Sequence, residues 1–166
     1  MSQFKDWEDF IHQLEDKKAC VKELKKVKEC GNFKNFFKHE NINDWIKWII
    51  INCLTCSWPE AEPVILTDAS SSCRYAYYVL KRPWPEAEPI ILTDAWSSYH
   101  YARDFLKRPW PEAEPIILGN VWLSYFYARD VLKRPWPEAE PVIMKDAEAW
   151  DGYSSWKKEI KHENNN

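Results

Sequence analysis

Few residues of this sequence combine the types and spacing that chemistry requires. Cys53 and Cys56, in "CLTC", have the spacing of a metal site or a redox pair. The sequence lacks a second such pair and lacks a pair of histidines at ligand spacing. Cys53 also falls on a column that is apolar in the repeats described below. We therefore interpret the two cysteines as core residues rather than as zinc or redox ligands.

The remaining candidates for catalysis are equally sparse. The four histidines, His12, His39, His100 and His162, are scattered, and no motif links them to a nucleophile or a carboxylate. Pairs of glutamates such as Glu86 and Glu88 suggest acid–base catalysis, but they recur at the predicted starts of helices. Carboxylates there stabilise the positive end of the helix dipole. The sequence therefore predicts a protein that is not an enzyme and that has no cofactor and no bound metal.

The elements that position these residues are set by an internal repeat. The string "RPWPEAEP" occurs three times, and its core "WPEAEP" occurs once more. The tryptophans of these strings are spaced 26 residues apart, at Trp58, Trp84, Trp110 and Trp136. A fixed period of this length is typical of solenoid proteins, in which one repeat cannot bury its apolar face alone.

One repeat is predicted to be a short helix followed by a longer one. Proline suits the first turn of a helix, so the short helix is expected over 85–92. Asp94 is a natural N-cap for a second helix that runs to about Lys107, and Pro109 closes it. An alternative stays open, in which "PIIL" is a short buried strand of a strand-plus-helix horseshoe. Two prolines and the acids between them argue against a central strand.

These patterns predict an all-α fold, a right-handed α-solenoid of helix-pair repeats with an N-terminal helical cap. An amphipathic pattern over 1–31 forms the cap, with a stop at Gly31. Residues 41–57 align with the second half of a repeat, and the segment 32–57 is interpreted as a degenerate first repeat. The four tandem repeats are 58–83, 84–109, 110–135 and 136–161. The last of them has the polar substitutions of a capping repeat. Residues 162–166 are expected to be a disordered tail.

Bulk composition narrows the class of protein. The net charge is −3 with acids and bases interspersed, which does not favour nucleic acid or an anionic membrane as a partner. The 3 glycines nearly exclude phosphate-binding glycine loops. No secretory signal pattern is present, and the longest apolar run is too short to span a bilayer. We expect a protein of the cytoplasm whose 5 cysteines stay reduced.

Comparison of the repeats separates framework positions from candidate binding positions. Repeated corner residues are interpreted as structural; they are Trp58, Trp84, Trp110, Trp136, Arg82, Arg108, Arg134, Glu86, Glu112 and Glu138. The columns that vary on the second helix are the candidate partner-binding residues Trp96, Tyr99, His100, Arg103, Trp122, Tyr125, Phe126 and Arg129. Tryptophan, tyrosine and arginine have the composition of an interface hot spot. The alternative is that the variable tryptophans only pack neighbouring repeats.

The repeats resemble a tandem repeat of the form "RWPEAEPxIxxDxxxAxxYAxxVLK" found in uncharacterised phage, viral and bacterial proteins. The resemblance is close over 58–135 and partial to Lys161. The N-terminal part is more loosely similar to a helical module at the start of such proteins, through Ala19, Cys20, Leu24, Asp44, Trp45 and Trp48. The resemblance implies an all-helical fold and a phage or mobile-element origin, and it carries over no catalytic or binding residue.

The sequence therefore supports one main functional hypothesis and two alternatives. The main hypothesis is a non-enzymatic repeat protein that binds another protein, as a phage-encoded inhibitor or sequestering protein acting in the host cytoplasm. The first alternative is a nucleic-acid-binding module that uses the interleaved aromatic and basic side chains. The second is a scaffold that self-associates end to end. None of the three needs a membrane or a cofactor.

Overall fold

The structure is a computed structural model, which describes residues 3–163. The described residues form helices joined by turns, and no strand occurs among them. The predicted all-α class of helix-pair repeats is confirmed, and the horseshoe alternative is wrong for the part of the chain that the structure describes. The chain divides into two compact units, 1–90 and 91–166, and the boundary falls within the second repeat.

Residues 3–163 contain twelve α-helices, numbered in chain order. They are α1 (Trp7–Asp16), α2 (Val21–Cys30), α3 (Phe33–Phe36), α4 (Ile42–Asn52), α5 (Glu62–Ile65), α6 (Ala69–Tyr75), α7 (Glu88–Ile91), α8 (Ala95–Tyr101), α9 (Glu114–Ile117), α10 (Val121–Tyr127), α11 (Glu140–Ile143) and α12 (Ala147–Glu163). Residues 164–166 of the predicted disordered tail lie outside the described residues. Within residues 3–163, no helix has the length and apolarity needed to cross a membrane.

The first helix of a repeat starts as a 3₁₀ turn. In the second repeat this turn spans Pro85–Ala87 and leads directly into α7. The N–H of Glu88 donates to the carbonyl of Pro85, three residues back. In an α-helix the carbonyl of Pro85 would accept from the N–H of Pro89, but proline has no N–H. The tighter 3₁₀ turn provides that carbonyl with a donor instead. The predicted short helix is thus present as a 3₁₀ turn plus one α turn.

The second helix begins at the predicted residue but ends in an unpredicted way. Asp94 caps α8, because its carboxylate accepts a hydrogen bond of 2.8 Å from the N–H of Ser97. After α8 the chain widens into a π-helical turn, Ala102–Leu106. Lys107 then adopts a left-handed conformation with φ of 49°, and its N–H donates to the carbonyl of Ala102. The helix therefore stops at this lysine, before Pro109 is reached.

The same ending occurs in the first and third repeats. The π-helical turns there are Ala76–Leu80 and Ala128–Leu132, and Lys81 and Lys133 each have φ of 52°. Glycine usually occupies this position of a helix end, because it has no Cβ to clash in the left-handed region. With so few glycines available, this chain places a lysine there three times.

At three corners, the backbone N–H of the tryptophan is satisfied by a tyrosine from the same repeat. The Trp110 N–H donates a 2.7 Å hydrogen bond to the Tyr127 hydroxyl, 17 residues later, and both residues are buried. The hydroxyl itself donates toward Glu114 at 3.5 Å. The same arrangement joins Trp58 to Tyr75 at 2.6 Å and Trp136 to Tyr153 at 2.8 Å. The repeated Trp, Glu and Tyr positions therefore belong to one hydrogen-bonded framework.

The tryptophan rings link one repeat to the next by aromatic packing. Tyr101 packs on Trp110 with ring centroids 5.3 Å apart, and Tyr127 packs on Trp136 at the same distance. In the first unit Tyr75 packs on Trp84 at 5.2 Å. The other corner residues are exposed to solvent, namely Arg82, Arg108, Arg134, Glu86, Glu112 and Glu138. Arg82 and Arg108 each donate a 3.3 Å hydrogen bond to the carbonyl of the following proline.

In the first unit, the N-terminal helices cover the first corner tryptophan. Trp58 is 1% exposed and lies against an aromatic cluster that includes Phe4, Phe10, Phe33 and Phe37. Gly31 ends α2 with φ of 72°, as its position in the sequence predicted. Next along the chain, α4 packs on α6. The segment that precedes the repeats therefore completes the apolar core of this unit.

Candidate functional site on the second unit

The variable columns of the second and third repeats meet on neighbouring helices of the second unit. Helices α8 and α10 pack side by side, and α10 also packs on α12. The hydroxyl of Tyr99, on α8, donates a 2.6 Å hydrogen bond to the Oδ2 atom of Asp130, in the π-helical turn after α10. This bond fixes the second helix of one repeat against that of the next.

Both candidate arginines are held by the aspartate that follows them in the chain. The Nε of Arg103 donates to Asp104 at 2.7 Å, and the Nε of Arg129 donates to Asp130 at 2.6 Å. Arg103 also donates a 3.1 Å hydrogen bond to the Tyr99 hydroxyl. Each guanidinium is therefore directed by several hydrogen bonds rather than left to swing in solvent.

The same guanidinium groups cover aromatic rings. Arg103 lies 5.1 Å from the ring centroid of Tyr99, while Arg129 lies 5.2 Å from that of Tyr125 and 5.1 Å from that of Phe126. These distances are within the range of cation–π attraction. Charge, hydrogen bonding and ring contact thus act together to fix the orientation of both arginines.

The pKa values in this network follow from its contacts. Burial raises the pKa of Tyr99 to about 12, and its hydrogen bond to Asp130 adds to that rise. Burial opposes the charge on Asp130, but hydrogen bonds from Arg129 and Tyr99 outweigh it and lower the pKa of this carboxyl. The hydrogen bond to Asp130 raises the pKa of Arg129 above its ordinary value, and Asp104 does the same for Arg103. The network therefore holds the Asp130 carboxylate in its ionised form beside the charged guanidinium group of Arg129.

Four side chains of this region form what we call the aromatic face: Trp96, His100, Trp122 and Phe126. The Trp96 and His100 rings are 4.8 Å apart, and the Trp122 and Phe126 rings are 5.8 Å apart. Trp96 is 56% exposed, and the other three are half-buried. The face is joined to the network below it, because Phe126 lies 6.4 Å from the ring of Tyr99.

The aromatic face ends at the fourth repeat. The positions of α12 that align with Trp122 and Phe126 are Glu148 and Gly152. A Cβ at Gly152 would lie 3.3 Å from the ring of Tyr125, closer than most side-chain contacts, so glycine leaves space for that ring. Glu148 is exposed. The aromatic columns are thus bordered at this end by a polar helix that accommodates the last tyrosine.

The structure brings the sequence-predicted binding residues together but gives them different surroundings. Tyr99 is 3% exposed and Tyr125 is 8% exposed, so both lie beneath the surface. Their rings support Arg103 and Arg129, which are partly exposed. The surface available to a partner is therefore the aromatic face together with the outer edges of the two guanidinium groups.

Sequence comparison missed the partners of the arginines, Asp104 and Asp130. A signal for them is present, because the second and third repeats both read "YARD" where the first reads "YAYY". The arginine and the aspartate therefore change together between repeats. Adjacent residues on an ideal α-helix do not share a face, and this concealed the pair. Both pairs lie in π-helical turns, and there the two side chains meet.

The two cysteines of the "CLTC" motif have different surroundings. Cys53 is buried, and burial raises the pKa of its thiol to about 11, whereas Cys56 is exposed. The interpretation as a core residue is thus confirmed for Cys53 and is wrong for Cys56, which lies at the surface. Among residues 3–163 no group of three or more His, Cys, Asp or Glu side chains is placed to hold one metal ion.

Comparisons with known proteins add no family assignment. No family model, no curated protein and no solved structure matches this chain. The functional interpretation therefore depends on the geometry described above.

Proposed function

We propose that this protein is a non-enzymatic repeat protein that binds another protein through the aromatic face. The observation that carries the proposal is the exposure of Trp96 at 56% on a surface whose neighbouring side chains are fixed in place. A large exposed aromatic side chain surrounded by ordered groups is typical of interface hot spots. Because Arg103 and Arg129 are already oriented, little side-chain entropy is lost when a partner binds.

Charge supports a protein partner over nucleic acid. Binding to a phosphate backbone requires basic groups whose charge is not already compensated. Here Arg103 is paired with Asp104 and Arg129 with Asp130, so each guanidinium carries its own counter-charge. The finer proposal is that the partner is a host protein that this chain inhibits or sequesters. Its motivation is the phage or mobile-element origin that the resemblance implies, since genes of that origin often encode small inhibitors of host systems.

The test compares the protein with a variant built from its own repeats. The first repeat has Ser70 in the column of Trp96 and Trp122, so the double variant Trp96→Ser, Trp122→Ser uses a residue that this column already accepts. Tyr78→Ser, which removes another exposed aromatic side chain, is the matched control. Circular dichroism and thermal unfolding establish that all three proteins are folded before immobilisation and exposure to a host lysate, with and without nuclease.

We expect one protein to be retained by the original chain and by Tyr78→Ser, and to be lost with the double variant. Removing two hot-spot tryptophans should weaken the complex by at least about 2 kcal/mol each. Nuclease treatment should leave retention unchanged. Equal retention by the double variant, or loss of retained material after nuclease treatment, would contradict the proposal. Light scattering of the isolated protein over a range of concentrations tests the third hypothesis, end-to-end association.

A further inference from the structure

The first unit contains a cavity that the aromatic face does not explain. Its volume is about 320 Å³, at the small end of the range found for ligand sites. It lies between the end of α1, the turn before α2, α2 itself and α4. Its walls include Ala19, Cys20, Leu24, Asp44, Trp45 and Trp48, the residues through which the N-terminal part showed its looser resemblance.

The walls of the cavity are mainly apolar. Leu14, Val27 and Ile49 line it and are at most 3% exposed. Leu24 and Trp48 are half-buried, so part of their apolar surface still faces solvent across the cavity. The free energy falls when an apolar group replaces water on a concave surface of this composition.

The charge that lines the cavity has one sign. Of the described residues, those that line it with charged side chains are Glu23 and Asp44. Glu23 accepts a 3.0 Å hydrogen bond from the indole Nε1 of Trp45 and pairs with Lys26 at 2.9 Å. Its hydrogen bond to Trp45, followed by that to Lys26, lowers the pKa of this carboxyl. Glu23 is therefore ionised but already has partners.

Asp44 differs from Glu23 because it has no partner within the described chain. Its side chain is exposed in the first turn of α4 and makes no hydrogen bond or ion pair with residues 3–163. A bound cation would supply the counter-charge that the protein itself does not. Trp48 adds an aromatic ring to the same wall, and aromatic rings also attract cations.

We propose that this cavity binds a small molecule that combines an apolar body with a protonated amine. The apolar body fills the space lined by Leu24, Val27 and Trp48, and the ammonium group pairs with Asp44. An anion of the same size and shape is disfavoured, because the Asp44 carboxylate, which no cation of the described chain neutralises, would repel it. The proposal is independent of the aromatic face, which belongs to the other unit.

Two probes of equal shape and opposite charge test the proposal on the full chain. Phenethylamine and hydrocinnamate share a phenyl ring and a two-carbon linker, and they differ in carrying an ammonium or a carboxylate. Each is titrated while the indole N–H signals of Trp45 and Trp48 are followed by NMR. We expect the amine to shift both signals saturably and hydrocinnamate to leave them unchanged. No saturable shift with the amine, or equal shifts with both probes, would overturn the proposal.

A substitution tests the role assigned to the carboxylate. Asp44→Asn removes the charge without removing a hydrogen bond seen in the structure, and it should weaken amine binding by about two- to fivefold, the range for an exposed ion pair. The matched control is Asp151→Asn, another exposed carboxylate, located on α12. Unchanged affinity in Asp44→Asn would refute the charge pairing, as would an equal loss in the control.

The cysteines provide an independent readout of occupancy. Cys20 lines the cavity and is exposed, while Cys56 is exposed but does not line it. A saturating concentration of phenethylamine should slow the alkylation of Cys20 by iodoacetamide and leave that of Cys56 unchanged. Equal alkylation rates of Cys20 with and without the amine would count against the proposed location.

Discussion

Replacing Tyr127 with phenylalanine removes one oxygen atom from a buried corner and keeps the ring that packs on Trp136. The lost hydroxyl is the acceptor for the N–H of Trp110, at 2.7 Å. Tyr127 is fully buried and Trp110 is 4% exposed. Water therefore cannot reach the N–H to replace the hydroxyl without disturbing the corner.

The expected cost follows from this burial. A buried donor that loses its acceptor destabilises a protein by about 1–3 kcal/mol. The contact of the hydroxyl with Glu114 adds little, since it is 3.5 Å long and Glu114 is half-buried. We therefore expect Tyr127→Phe to lower the free energy of unfolding by about 2 kcal/mol. For a chain of this length that corresponds to a fall in Tm of roughly 4–8 °C.

The assay is urea unfolding followed by far-ultraviolet circular dichroism, supported by calorimetry. The matched control is Tyr78→Phe, which removes the hydroxyl of a side chain that is 43% exposed. This control should change stability by less than about 0.5 kcal/mol. If Tyr127→Phe costs no more than Tyr78→Phe, the hydroxyl is not the required acceptor and the explanation given for the corner is wrong.

Two further predictions concern pH. The pKa of Asp130 is lower in the folded protein than its ordinary 3.8, so its stabilising contribution is present above that pH and is lost as the pH falls through the folded value. Asp130→Asn should lower the free energy of unfolding by about 1 kcal/mol near neutral pH, and the variant should lose less stability than the original chain below about pH 4. Urea unfolding at a series of pH values measures both effects. If the variant loses stability in acid as steeply as the original chain, the network does not contribute as described. At alkaline pH, burial raises the pKa of three tyrosines to about 12, namely Tyr99, Tyr127 and Tyr153. Their contribution to the free energy of unfolding is therefore fully present below pH 10 and is lost as the pH rises through 12. Ultraviolet absorbance should show these tyrosines ionising together with unfolding. Their ionisation near pH 10 in the folded protein would contradict the burial of their hydroxyl groups.

Much of the repeat was predictable because its signals are local. The 26-residue period, the prolines at the helix starts and the capping role of Asp94 depend on residues close together in the chain. The π-helical turn Ala102–Leu106 was not predictable, since five residues are too few to show a change in periodicity. The left-handed conformation of Lys107 was not predictable either, because the usual signal for it is a glycine and this position is a lysine.

The candidate site was only partly visible for a similar reason. The large, variable side chains Trp96 and Trp122 stand out when the repeats are aligned. The bond between Tyr99 and Asp130 joins residues 31 positions apart, and it depends on how α8 packs on α10. The cavity of the first unit likewise combines Glu23 of α2 with Asp44 of α4. Contacts of this kind are set by helix packing, which the local sequence does not specify.

The hydrogen bonds at the corner have a consequence for how such a chain changes in length. The N–H of Trp110 donates to the hydroxyl of Tyr127, and both residues belong to the same 26-residue segment. Neighbouring segments are linked there by ring packing, such as that of Tyr101 on Trp110. Adding or deleting one whole segment would therefore replace one ring contact with an equivalent one and leave no buried backbone donor at the corner without its acceptor. A gene that encodes this corner can gain or lose copies by duplication and recombination in steps of one segment, at little cost to the stability of the corners that remain.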